Sequence, residues 1–102
     1  GGSLDEALIL ARTANQKVPD SPNVSDTLGW IYYRSGAFRS AVEILKECVE
    51  KEPQNPVYRY HLGMSYFKAG DKANAKASLS EALRLSQNFP GAEDARSTLA
   101  KI

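Results

Sequence analysis

At 102 residues the chain has room for one domain with a modest core. Its 13 Lys and Arg stand against 12 Asp and Glu, a formal net charge of +1, which supplies no field to draw in nucleic acid or an acidic membrane surface. The longest apolar runs, such as Ala7–Ala11, fall far short of the ~20 residues that cross a bilayer, and the single cysteine, Cys48, excludes an internal disulfide and a multi-thiolate zinc site.

Gly1-Gly2-Ser3, with no initiating Met, reads as a scar of expression and is kept apart from the fold. The spacing then predicts a helix over 4–19. Ser21 and Asn55 are good N-caps, and each precedes a proline suited to the first helical position, where a missing amide costs nothing. Helices are therefore expected over about 22–35 and 56–69. Gly36 and Gly70 supply the left-handed residue that ends a helix without a Cβ penalty. Partner helices follow over about 38–51 and 72–86, where Ala41, Ile44, Leu45, Cys48 and Val49 keep the three- and four-residue spacing of one buried face. After the turn at Phe89-Pro90-Gly91, Ala95, Leu99 and Ile102 recur at helical spacing among charged residues, which suits a terminal capping helix over 92–102.

These elements repeat. Sliding the sequence by 34 positions lays Pro22, Leu28, Gly29, Tyr32, Gly36, Ala41 and Leu45 on Pro56, Leu62, Gly63, Tyr66, Gly70, Ala75 and Leu79. One more period back, Ala41, Cys48 and Pro53 fall on Ala7, Ala14 and Pro19, so residues 4–19 read as the second half of an earlier repeat. Gly29 and Gly63 sit mid-helix, where glycine costs ~1 kcal/mol against alanine unless a close contact requires it. Ala41 and Ala75 are the expected partners in that contact, with Tyr32 and Tyr66 filling the space between hairpins.

Leu28-Gly29, Tyr32, Gly36, Ala41, Leu45, Cys48 and Pro53, matched again in the next repeat, resemble the tetratricopeptide signature. The resemblance covers residues 4–102 as a half repeat (4–19), two full repeats (22–55 and 56–89) and a capping segment (90–102). It implies an all-α, right-handed α-solenoid of six helices in antiparallel hairpins, forming one domain. The aromatic usual near the start of the first helix is Ser25 and Arg59 here, and Gln87 replaces the proline usual at the end of the second full repeat. The closing stretch looks like the C-terminal end of bacterial multi-repeat proteins of this family, several of which are associated with the cell envelope. The repeats themselves leave cytoplasm and envelope both open.

A catalytic reading lacks a constellation, since the one histidine is His61 and the one thiol is Cys48. Cys48 takes the small-residue position of Ala14 and Ala82, which suits packing. The glycines follow the repeat period and form no phosphate cradle. No enzyme activity, cofactor or metal is expected.

The family resemblance implies that the first helix of each repeat lines a concave surface that holds a peptide or helix of a partner protein. Those positions carry Asp26, Trp30, Tyr33 and Arg34 in one repeat and Tyr60, His61, Met64, Phe67 and Lys68 in the next. The aromatic and Met side chains are expected to anchor, and the two cations to meet an acidic group. A subset of the family clamps chaperone tails with Lys, Asn and Arg; the corresponding Asp26, Trp30, His61, Gly91 and Ala95 do not support that activity. The alternative is a structural spacer or self-association segment, in which the face of Leu4, Leu8 and Ala11 lacks a neighbour and a second molecule covers it, giving a homodimer.

Overall fold

The computed structural model describes residues 2–102, which form six helices and no strand: α1 (Gly2–Lys17), α2 (Pro22–Arg34), α3 (Phe38–Lys51), α4 (Pro56–Lys68), α5 (Lys72–Leu85) and α6 (Ala92–Lys101). Their starts are set locally. The Ser21 hydroxyl accepts from the Val24 amide at 3.4 Å, and the Asn55 side chain accepts from the amides of Val57 and Tyr58 at 3.0 and 3.2 Å. Each cap fixes the first turn of a helix that opens on proline. At the other end, Gly36 (φ 88°) and Gly70 (φ 90°) take the left-handed conformation. Their turns close with the amides of Ala37 and Asp71 donating to the carbonyls of Tyr32 and Tyr66. Helix α1 starts at Gly2, inside the stretch that the sequence sets aside as a scar.

Each helix packs on the next along the chain, and α4 also packs on α2 and on α6. The result is two layers, α2-α4-α6 and α1-α3-α5. One hydrophobic cluster joins Ala41, Leu45, Cys48, Val49, Tyr58 and Leu62. A second joins Tyr60, Met64, Leu79, Ala82, Phe89, Ala92 and Ala95. Tyr33 packs against both. Leu45 and Leu79, one period apart, are fully buried, and each contributes roughly 1.5–3 kcal/mol of transfer free energy.

The mid-helix glycines are explained by these leucines. A Cβ on Gly29 would lie 2.6 Å from Leu45 Cγ, and one on Gly63 would lie 2.6 Å from Leu79 Cδ2. Glycine thus makes room for Leu45 and Leu79, whereas the small Ala41 and Ala75 suggested by the sequence are not the nearest atoms. Ser25, standing where an aromatic is usual, is buried and accepts a hydrogen bond from Asn15 Nδ2 at 2.8 Å, which ties α1 to α2.

The open side of α1 also differs from expectation. Ala11 is buried, and Leu4 and Leu8 are half-buried, on a helix whose neighbour is α2. The apolar side chains left in solvent are Ile9 (63% exposed), Leu10 (71%) and Val18 (47%). Helix α2 already takes the Leu4-Leu8-Ala11 side, and the adjacent side stays free.

Candidate partner-binding surface

The α2-α4-α6 layer carries every residue that the repeat pattern nominates. Positions 26, 30 and 33 of α2 lie on one helical face at four- and three-residue spacing, and the same face of α4 meets it across the repeat junction. Trp30 is the hub. Its ring stacks on Tyr33 (centroids 4.3 Å apart, planes 2° apart) and on His61 (3.9 Å, 18°). It also tilts against Tyr60 at 5.6 Å, and Tyr60 continues to Phe89 at 5.8 Å. Such arrangements add about 0.5–1.5 kcal/mol per pair beyond area burial.

Two polar links fix this cluster. His61 Nδ1–H donates to Asp26 Oδ1 at 2.7 Å, the hydrogen residing on nitrogen because a carboxylate offers only acceptors. Both side chains are 12% exposed. The Tyr60 hydroxyl donates to Asp94 Oδ2 at 2.7 Å, tying α4 to α6. Burial, then this hydrogen bond and the Asp94 charge, push the Tyr60 hydroxyl above its ordinary pKa. Burial and the same carboxylate raise Tyr33 as well.

The exposed stripe is narrower than the sequence suggests. Asp26, Tyr60 and Met64 are buried. Tyr60 and Met64 share a cluster with Phe89, Ala92 and Ala95, so the chain leading into α6 covers them. Asp26 is turned into its bond with His61. Trp30 and Met64, equivalent in the repeat, therefore differ: one is half-exposed, the other is core. Trp30, Tyr33, His61 and Phe67 are partly exposed, and Arg34 and Lys68 are fully at the surface at the ends of α2 and α4.

Phe89 and Gly91, which the sequence marks only as a turn before α6, and Asp94, which it does not mark, all shape this surface. The period held a signal for Asp94, which lies 34 residues after Tyr60, its hydrogen-bond partner. Gly91, at φ 103°, lies against the Tyr60 ring, where a Cβ has no room.

Cys48 is 1% exposed, and its Sγ lies 3.5 Å from the Pro22 carbonyl. Burial, with the charges of Asp26 and Glu47, pushes its thiol up to about 12, which leaves no thiolate for nucleophilic work at neutral pH. Among the described residues no group of three or more His, Cys, Asp or Glu side chains is placed to hold a metal ion, and no helix is long and apolar enough to cross a membrane.

Comparison with known proteins agrees with this architecture. The family model described as anaphase-promoting complex, cyclosome, subunit 3, matches residues 1–82. A TPR repeat-containing protein of Pseudomonas aeruginosa is 36% identical over 58 residues, 57% of this chain, which spans only a tenth of that relative's length. Among solved structures, MamA MSR-1 C2 aligns with a TM-score of 0.83 at 26% identity, over 98% of this chain and 56% of that one. PcrH in complex with the chaperone binding region of PopD gives 0.83 at 17% identity, covering 98% and 78%. The Yersinia enterocolitica type III secretion translocator chaperone SycD, in an alternative dimer, gives 0.82 at 18%, covering 98% and 79%; these last two likenesses speak to the fold alone. A 34-residue period, antiparallel hairpins stacked in two layers and a family match over four-fifths of its length together place the chain in the tetratricopeptide-repeat family, in the group that the subunit 3 model describes.

Proposed function

We propose that this chain is a protein-interaction module that holds a segment of a partner protein against the α2-α4 surface, with no catalytic step of its own. The observation that carries this reading is the stacked set Tyr33-Trp30-His61. Three rings are locked in register across two repeats, partly exposed, and fixed from beneath by the Asp26–His61 bond. A rigid aromatic shelf of this kind supplies contact area at low entropic cost. Phe67 is partly exposed further along α4, and Arg34 and Lys68, exposed at matching repeat positions, add positive charge at the ends of α2 and α4. A partner segment with one large apolar side chain beside an acidic residue meets both demands.

Trp30 is the one tryptophan of the chain, so its fluorescence reports on the surface directly. Peptides selected from a random library on the immobilised chain should shift Trp30 emission on binding. Truncating a central aromatic anchor commonly costs ~2 kcal/mol or more, so Trp30→Ala should weaken a selected peptide by more than tenfold. Cys48→Ala should leave its affinity unchanged. A Trp30→Ala variant that keeps its helical circular dichroism and binds normally would move the site to another face.

A further inference from the structure

We infer that the cavity between α1, α2 and α3 is a seat for the guanidinium of an arginine side chain carried by a partner segment. It lies apart from the Tyr33-Trp30-His61 shelf, with which it shares no lining residue. The cavity measures about 140 Å³, and Asn15, Pro19, Ser25, Glu47, Cys48 and Lys51 are in its wall. One water needs ~10–15 Å³ of such space, so there is room for a planar group and the end of its stem.

The next repeat holds the group that this cavity lacks. Ser25 corresponds to Arg59, Pro19 to Pro53 and Glu47 to Glu81, each 34 residues on. Arg59 Nε donates to the Pro53 carbonyl at 3.1 Å. The Arg84 hydrogen bond, with the charges of Arg84 and Arg59, holds the Glu81 carboxyl below its ordinary range, so the Arg59 guanidinium acts on both acceptors. One period back the acceptors are kept and the donor is gone. Among the described residues the Pro19 carbonyl accepts no backbone amide, and Glu47 forms no ion pair. Asn15 Nδ2 donates to Ser25 Oγ at 2.8 Å, which leaves Asn15 Oδ1 as a further acceptor. Arg59 is half-exposed although α4 has α2 on one side and α6 on the other, so access to this seat from solvent belongs to the junction between repeats.

Charge selects a cation as the occupant. Lys51, the one cation in the wall, has its Nζ 3.7 Å from Asp20 Oδ1. Burial, then the charges of Asp26 and Glu47, raise the Cys48 thiol, and Lys51 opposes them less than either. The wall beside Cys48 therefore sits at negative potential. A guanidinium suits it better than an ammonium, because its planar fork donates to a carbonyl and a carboxylate at once through charge-assisted bonds.

Titration of the isotope-labelled chain with N-acetyl-arginine methylamide at constant ionic strength, followed through its amide resonances, tests this. Shifts should centre on Asn15, Ser25, Glu47 and Lys51. The corresponding lysine compound, which lacks the fork, and the citrulline compound, which lacks the charge, should bind more weakly, and free arginine should bind no better than the blocked form. Glu47→Gln, at an exposed position, should weaken binding by roughly five- to tenfold. Glu50→Gln, exposed on the same helix and outside the cavity, should leave it unchanged. Ser25→Arg supplies the guanidinium from the chain itself, as Arg59 does, and should abolish binding; if that variant fails to fold, Glu47→Gln still decides. An absence of saturable binding, shifts centred elsewhere, equal binding of the lysine compound or full affinity in Glu47→Gln overturns the proposal. Tighter binding of free arginine overturns the assignment to a side chain carried by a partner.

Discussion

The backbone of Gly63 runs against Leu79 so closely that a Cβ there would stand 2.6 Å from Leu79 Cδ2 and 3.2 Å from the Leu79 amide nitrogen. Leu79 is fully buried, so it has nowhere to retreat. Gly63→Ala gains up to ~1 kcal/mol of helix propensity and meets an overpacking cost of ~1–3 kcal/mol, and Gly63→Leu fares worse. Both variants should melt lower, by roughly 4–8 °C per kcal/mol lost. A thermal melt at or above that of the wild type would contradict this contact.

The Asp26–His61 bond joins two repeats through side chains that are nearly buried. His61→Ala leaves a carboxylate without its donor and removes the stack on Trp30, at a cost of roughly 1–3 kcal/mol. In a double-mutant cycle with Asp26→Ala, measured by urea unfolding, the two losses should fall short of additivity by at least ~0.5 kcal/mol. Simple additivity would mean that the bond carries no coupling between the repeats.

The attachment of α6 depends on Gly91 and Tyr60. Gly91→Ala forces a side chain into the left-handed region and onto the Tyr60 ring, and Tyr60→Phe removes the hydrogen bond to Asp94. Hydrogen exchange should accelerate in α6 first for both variants, more for Gly91→Ala, while α3 keeps its protection. Equal acceleration in α3 and α6 would show that α6 does not loosen as a separate unit.

Alkaline pH provides a test of burial. The folded chain raises the Cys48 thiol from 9.0 and the Tyr58 hydroxyl from 10.0, each to about 12, chiefly by desolvation. A pKa raised on folding means that the stability contributed by the neutral form is fully present below the unfolded value and is lost as pH climbs through the folded one. Stability should therefore be flat to about pH 9 and fall between about pH 9 and 12. Cys48→Ala, which installs the residue found at position 82, should reduce that slope. At pH 8, below the thiol's ordinary 9.0, a thiol reagent should modify Cys48 only after urea is added. Rapid modification of the native chain would show that the thiol is accessible.

Much of this molecule is legible in its sequence, because helix starts and stops are local chemistry. Ser21, Asn55, Gly36 and Gly70 act through their own backbone and their nearest neighbours, and the boundaries inferred from them match the structure within a residue or two. The period likewise reports burial wherever both sides of a residue are repeated, as for Leu45 and Leu79. Periodicity fails where the stack changes its neighbours. Trp30 and Met64 occupy one repeat position, yet the chain around Phe89 and Ala92 closes over Met64, while Trp30 remains at the surface. The burial of Asp26 against His61, the bond from Tyr60 to Asp94 and the packing of α1 on α2 all depend on residues distant in the sequence. A repeat sequence specifies each unit and its joint to the next; what covers the first and last units is decided only when the helices are assembled, because burial belongs to the pair of surfaces and not to either strip of residues alone.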